Sequence, residues 1–311
     1  MTDDVALGPG REFDLVRALR VRWGTRARGL GDDSAVLTVP PGEQLVVSTD
    51  QSVERVHFLR EWLSPREIGR RATTAALSDI AAMAAEPLGV LVALALPRTW
   101  LEHAEELADG IGDAIDEANT VVLGGDLSAS EELVLALTVL GSAAHPLRRS
   151  GARVGDRIYV TGVLGGPGAA VRDWRAGVAP AIGARERFVH PRARLREARW
   201  LARAGAHAAI DISDGLLGDL AHLAAASGVR IVVDLDAIRT IAGVSPLAAA
   251  RSGEEYELAI AAPAGLDVAA FERDFELALT AVGQVESGAP EVYAMLAGER
   301  VAGLGGFSHF S

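Results

Sequence analysis

The chain has 311 residues, 49% of them hydrophobic and 23% charged, the balance of a globular protein with room for two ordinary domains. A formal net charge of −12 argues against nucleic acid as a main partner, because binding a phosphate backbone calls for a basic face. There is no cysteine, which excludes disulfides, thiolate metal sites and a cysteine nucleophile, and no lysine, which excludes a P-loop or a protein-kinase site.

The N-terminus, MTDDVALGPG, carries acids where a signal peptide would carry bases, so a cytoplasmic protein is expected. The longest clean apolar run, 89–97, falls far short of the roughly 20 residues of a membrane span, and no membrane partner is expected. The hydrophobic pattern predicts a buried strand over 45–49 that ends at Asp50. A helix over 65–85 follows, with Ser64 as N-cap and Pro65 in the first turn. Next come a strand over 88–96, a helix over 100–117, and strands over 121–123 and 133–141 separated by GGDLSAS. The polar, basic stretch 145–155 predicts a boundary between a domain over 1–145 and another over 146–311. Beyond it the pattern predicts strands over 157–161, 229–235 and 256–262 and helices over 192–204, 215–227 and 266–277. The fold class is therefore α/β, as two consecutive mixed halves.

Aspartates recur where apolar runs open into loops, at Asp32 and Asp33, Asp50, Asp126, Asp211 and Asp214. Ends of strands are where α/β proteins place ligands. Each such Asp alone also suits a turn or a helix cap, and Asp214 with Ser213 beside it is a candidate cap for the helix at 215. Asp79 differs, because it interrupts the apolar stretch AALSDIAAM within a helix, with Arg70 and Arg71 more than two turns away. A carboxylate on such a face needs a partner, and a hard cation would serve. In a chain without lysine, several Mg²⁺ ions held by aspartates are the remaining way to manage phosphate charge. Zinc-type spacing of histidines is absent.

The segments GDDSAVL, STDQSVERVHF, LSDIAAMAAEP, GGDLS, RSGARVGDRIYVTG, IDISDGLLGDLAHL and SGEEYELAI occur in that order. Together they resemble the thiamine-monophosphate kinase family, within the superfamily of aminoimidazole ribonucleotide synthetase. The resemblance runs from about residue 11 to the C-terminal GGFSHF. It implies a kinase that uses ATP to convert thiamine monophosphate to thiamine diphosphate by in-line transfer, with several Mg²⁺ ions and no nucleophile or general base. By the same resemblance, Asp33, Ser48, Thr49, Asp50, Asp79, Asp126, Asp211 and Asp214 match metal positions. Gly125, Asp126, Arg149 and Ser213 match the nucleotide side, and His57, Glu254 and Phe307 match the thiamine side. A carboxylate and an aromatic face also suit a thiazolium cation chemically. The resemblance further implies a homodimer, whose N-terminal halves form a barrel, and a C-terminal layer that closes the active-site cleft.

Two segments depart from the family's usual wording. GGDTT becomes GGDLS, which places Leu127 where a hydroxyl is usual, and GGEDYEL becomes SGEEYEL. Glu255 therefore has a longer arm than the usual Asp, and Ser252 accepts positive φ less readily than glycine would. Zero cysteine counts against the selenophosphate synthetase and hydrogenase-maturation members of the superfamily. The other reading is a non-catalytic binder of nucleotide or thiamine phosphate, against which the full set of aspartates speaks.

Overall fold

The computed structural model describes residues 10–28, 30 and 33–301. They fall into two compact units, one holding the residues up to Ile80 with Ala85–His145, the other Ala81–Ala84 with the residues from Pro146. No helix among the described residues is long and apolar enough to cross a membrane.

The first unit is built on a four-stranded sheet of β1 (Gln44–Val53), β2 (Glu86–Leu96), β3 (Val122–Ala129) and β4 (Val134–Ala143), in the order β1-β4-β2-β3. β4 runs antiparallel to both β1 and β2, whereas β3 joins β2 in parallel. Helices α1 (Arg11–Trp23), α2 (Pro65–Ala82) and α3 (Ala104–Glu117) complete the unit. Ser64 and Glu67 begin α2 as a capping box, each side chain taking the other's backbone N–H at 3.3 and 2.8 Å. The expected helix over 100–117 opens instead as a 3₁₀ turn over Arg98–His103 before α3 proper.

α2 and α3 cross almost backbone to backbone. A Cβ on Gly69 would sit 2.2 Å from the carbonyl oxygen of Leu107, and one on Gly110 only 1.9 Å from that of Arg66. Only glycine fits at both positions. On the solvent side, acids of α3 take the arginines of its neighbours: Asp109 and Glu105 take Arg22, Asp113 takes Arg66, Asp116 takes Arg26 and Glu117 takes Arg70.

The second unit has a seven-stranded mixed sheet in the order β11-β10-β7-β9-β5-β8-β6. Its strands are β5 (Arg157–Thr161), β6 (Ala208–Asp211), β7 (Arg230–Asp234), β8 (Leu258–Ala262), β9 (Leu279–Glu286), β10 (Val292–Leu296) and β11 (Glu299–Val301). Its helices are α4 (Gly166–Arg175), α5 (Ile182–Val189), α6 (Leu195–Arg203), α7 (Leu216–Ser227), α8 (Pro246–Ala250) and α9 (Val268–Phe275). Alternate residues of the central strands enter two separate cores. Ile158, Val160, Ile210, Ala259 and Ala261 pack with Leu216, Leu220 and Leu223 of α7. Tyr159, Ala209, Leu258, Ile260 and Ala262 pack with Leu201 of α6 and Phe271 of α9. A strand covered on both faces has no polar side, which is why β8 reads LAIAA without alternation.

Candidate functional site

In the first unit Ser48 and Asp50 lie two residues apart on β1 and so share a face, while Thr49 points to the other. β1 does not end at Asp50 as expected. It continues to Val53, because β4 offers partners as far as Val134. Asp50 is therefore a half-buried position within the strand, where its Oδ1 accepts the N–H of Gln51 at 2.8 Å. Asp79 is half-buried rather than fully enclosed, and its partner is a hydroxyl: Ser48 Oγ donates to Asp79 Oδ2 at 2.5 Å. This bond joins α2 to β1 and brings three candidates, Ser48, Asp50 and Asp79, to one side of the sheet. The Thr49 side chain does not join them. Its Oγ1 accepts from Thr138 Oγ1 on the opposite face at 3.2 Å.

The GGDLSAS stretch is not a loop. β3 runs through it to Ala129, because pairing with β2 supplies hydrogen bonds that outweigh the turn preference of its residues. Gly125 meets that strand closely, since a Cβ there would lie 1.8 Å from the carbonyl oxygen of Val92. Asp126 is exposed and paired with Ala93, and Leu127 beside it is half-buried. Asp126 stands three strand spacings from β1, about 14 Å along the sheet, too far to share one ion with Asp50 directly. Asp33 is exposed. His57 sits in the turn after β1, where its Nδ1 accepts the N–H of Val53 at 3.0 Å, so that Nε2 carries the proton of the neutral ring.

In the second unit β6 delivers the buried Asp211 at its C-terminal end, and Ser213 and Asp214 follow, half-buried. Asp214 is not the cap of α7. Gly215 holds that position without a side-chain bond, and Asp219, within the helix, reaches back to accept the N–H groups of Ser213 and Asp214 at 3.1 and 3.2 Å. Burial, followed by the charges of Asp211 and Asp214, pushes the Asp219 carboxyl up to about 8.

The segment 252–257 lies along the same β6 end. The N–H of Glu254 donates to the Ser213 carbonyl at 2.7 Å, and those of Glu255 and Tyr256 donate to that of Ile212 at 3.1 and 2.9 Å. Gly253 allows this approach, because a Cβ there would stand 2.7 Å from the Ser213 oxygen. Ser252 does not need positive φ. Glu254 and Tyr256 take it instead, at 62° and 53°. The two departures in SGEEYEL both engage the start of α4: Ser252 Oγ accepts from the Gly168 N–H at 2.9 Å, and Glu255 Oε1 from that of Gly165 at 2.6 Å. Burial pushes the Glu255 carboxyl up to about 7. Glu254 itself is half-buried. Arg149 is exposed, and its carbonyl accepts from Ser227 Oγ at the end of α7. Phe307 lies outside the described residues.

Sequence reasoning missed Asp219 and a buried cluster around Glu257. Arg194 Nε and Nη2 donate to the two oxygens of Glu257 at 2.8 and 2.5 Å, Thr161 Oγ1 donates at 2.6 Å, and Arg187 Nη2 at 3.0 Å. Burial alone would raise the Glu257 carboxyl, but the guanidiniums outweigh it and hold the group below the usual carboxylate range. The only hint in the sequence is an acid at the start of an apolar strand.

Among the described residues no three His, Asp or Glu side chains gather so as to hold a metal ion by themselves. The donor chemistry nevertheless suits a hard divalent cation. The side chains are carboxylates and hydroxyls, and the charges of Asp211 and Asp214 add to burial in raising the Asp219 carboxyl. Mg²⁺, which retains waters and shares phosphate oxygens with its ligand, needs only one or two carboxylates per ion.

Two family profiles match the chain: the N-terminal domain of AIR synthase related proteins over residues 31–143, and the C-terminal domain over 153–294. The thiamine-monophosphate kinase of Salmonella typhimurium is 36% identical over 296 residues, which cover 89% of each chain. A crystal structure of thiamine-monophosphate kinase from Stenotrophomonas maltophilia superposes with a TM-score of 0.82 at 34% identity, covering 94% of this chain and 98% of that one. The solved complex of AaThiL with AMPPCP and TMP superposes at 0.76 with 27% identity, over 99% of this chain and all of that one.

Proposed function

The chain belongs to the thiamine-monophosphate kinase family of AIR synthase related proteins, and from this we propose that it transfers the terminal phosphoryl group of ATP to thiamine monophosphate, giving thiamine diphosphate and ADP. The observation that carries the reading is its likeness, over nearly the whole length, to kinases of that name and to a relative solved with AMPPCP and TMP.

Asp33, Ser48, Thr49, Asp50, Asp79 and Asp126 of the first unit, and Asp211 and Asp214 of the second, are proposed to hold Mg²⁺, Thr49 through its main chain. Bound Mg²⁺ would neutralise charge on the phosphate oxygens as the phosphoryl group moves. The chain's own residues position these ligands. Ser48 fixes the Asp79 carboxylate, and Asp219 fixes the backbone that carries Ser213 and Asp214. Gly125, Asp126, Arg149 and Ser213 are assigned to the nucleotide, with Arg149 offering a fork for phosphate oxygens. Glu254 supplies a negative neighbour for the thiazolium cation, His57 a donor at Nε2, and Phe307 an aromatic face. The acceptor is a phosphate monoester already largely ionised at neutral pH, so no general base is assigned, and by the family resemblance the transfer is proposed to run in line.

A homodimer is part of the proposal. On the face of the first-unit sheet that carries Thr49, Leu45 and Val47 of the edge strand β1 are 49% and 54% exposed. A second copy laid against this face would cover them. The protein is proposed to work in the cytoplasm.

Incubation with Mg-ATP and thiamine monophosphate, followed by chromatography of the thiamine species, tests the activity. The reading requires thiamine diphosphate in step with ADP, and none from free thiamine. Binding of both ligands without product would leave the non-catalytic binder standing.

A further inference from the structure

The start of α4 has no cap of its own. Gly165, at the N-cap position, has no side chain to offer, and Pro167 in the first turn has no N–H. The N–H groups of this turn are taken instead by side chains of a distant segment. Ser252 Oγ accepts that of Gly168 at 2.9 Å, and Glu255 Oε1 that of Gly165 at 2.6 Å, from 84 and 90 positions away. The Ser252 bond is the one an N-cap hydroxyl ordinarily makes to the third residue of its own helix. A carboxylate also suits this end of a helix, where the N–H dipoles converge. The approach is close enough that a Cβ on Gly168 would stand 2.8 Å from Ser252 Oγ.

Ser252 and Glu255 flank Glu254, and the backbone there is strained. Glu254 and Tyr256 hold left-handed φ values of 62° and 53°, a conformation that side-chain-bearing residues keep only where the surroundings over-determine it. Two anchors do so. On one side the N–H groups of residues 254, 255 and 256 donate to the Ser213 and Ile212 carbonyls. On the other, Ser252 and Glu255 are buried with their polar atoms turned to the helices. Besides the α4 bonds, Glu255 Oε2 lies 3.6 Å from Nη2 of Arg187 on α5, which also donates to Glu257 at 3.0 Å. Glu254 sits between these anchors.

We propose that Ser252 and Glu255 are positioning residues for the thiamine side of the site: by capping α4 from outside, they clamp the strained turn so that Glu254 is presented in one conformation. The proposal rests on the assignment of Glu254 to thiamine monophosphate made above. The apparent dissociation constant of a ligand rises in inverse proportion to the fraction of molecules in the competent conformation. Releasing a clamp bond therefore costs affinity for thiamine monophosphate. The nucleotide side is held independently, by Asp219 on the N–H groups of Ser213 and Asp214. That asymmetry separates positioning from a general loosening of the unit.

The test is calorimetric titration of the full chain with thiamine monophosphate and, separately, with Mg-ADP, alongside steady-state kinetics. Ser252→Ala deletes a single hydroxyl and leaves the buried carboxylates in place. It should weaken thiamine monophosphate binding about fivefold, the size of one net hydrogen bond, and raise the KM for that substrate in parallel. Mg-ADP affinity and the KM for ATP should move far less. Glu255→Ala should act in the same direction, and Glu255→Gln, which keeps an acceptor for the Gly165 N–H, should recover most of the affinity that the alanine loses. Unchanged thiamine monophosphate affinity in Ser252→Ala, equal weakening of both ligands, or no recovery in Glu255→Gln would overturn the proposal. Failure of the kinase reading looks different. A wild type that binds thiamine monophosphate without forming product leaves the binding comparison intact, whereas one that does not bind it overturns both.

Discussion

The backbone N–H of Glu254 donates to the carbonyl oxygen of Ser213 at 2.7 Å, so a residue assigned to the thiamine side hangs directly from one assigned to the nucleotide side. Asp214, a proposed metal ligand, is next in the chain, and its own N–H is held by Asp219. Three proposed kinds of ligand contact therefore share one short run of backbone.

Gly253→Ala tests this coupling. The added Cβ would stand 2.7 Å from the Ser213 oxygen, so the segment must retreat, at a cost of about 1–3 kcal/mol. A raised KM for thiamine monophosphate is expected together with a lower melting temperature. Steady-state kinetics with unchanged KM would separate the loop from substrate binding.

Removing Arg194 should be severe. Arg194→Met leaves the Glu257 carboxylate, 2% exposed, without its main counter-charge, which costs about 3–5 kcal/mol when a buried pair is broken. Chemical denaturation reads this directly. A loss below about 1 kcal/mol would mean that Thr161 and Arg187 suffice.

The same carboxylate sets a pH dependence. Its folded pKa lies below the ordinary 4.5, so its stabilisation is complete above that value and fades as pH falls through the lower, folded pKa. Melting temperatures measured downward from pH 5 should decline in the wild type and decline less in Glu257→Gln. Parallel curves would assign the acid sensitivity elsewhere.

Asp50→Asn keeps the shape of a half-buried strand residue and removes its charge. Turnover should fall by about 10²-fold or more while the circular dichroism spectrum and melting temperature remain near wild type. Full activity would take Asp50 out of the proposed metal set.

Mg²⁺ with ADP should raise the melting temperature well beyond the effect of sodium chloride at equal ionic strength, because specific binding to the folded state adds to screening. A chelator should reverse the gain. Equal shifts from both salts would argue against metal ligation by the aspartates.

Most of the fold was legible from local signals. The start of α2 followed from Ser64 and Pro65, and β5 was bounded as expected, because such signals act within one turn or one strand. α1, α4, α5 and the strands β9 to β11 escaped; GPGAAVRDWR opens on two glycines and a proline, and the edge strand β11 is only three residues long, too short to show a period. The course of β3 through GGDLSAS is imposed by β2, a partner about 30 residues away, and no local reading could contain it. At the site, the aspartates were visible as residues but their supports were not. Ser48 reaches Asp79 across 31 positions, and Glu257 gathers Arg187 and Arg194 from 70 and 63 positions away.

The crossing of α2 and α3 at Gly69 and Gly110 has a mechanical meaning. Side chains between helices act as springs, because rotamers can yield, but a carbonyl oxygen against an α-carbon has almost no travel. The joint has little play, so a push on the outer face of α3 would be transmitted to α2 with little loss. α2 ends in the turn that holds Asp79, itself bolted to β1 through Ser48. The carboxylate is thus mounted on a stiff frame, and small misplacements would be resisted by main chain rather than absorbed by it.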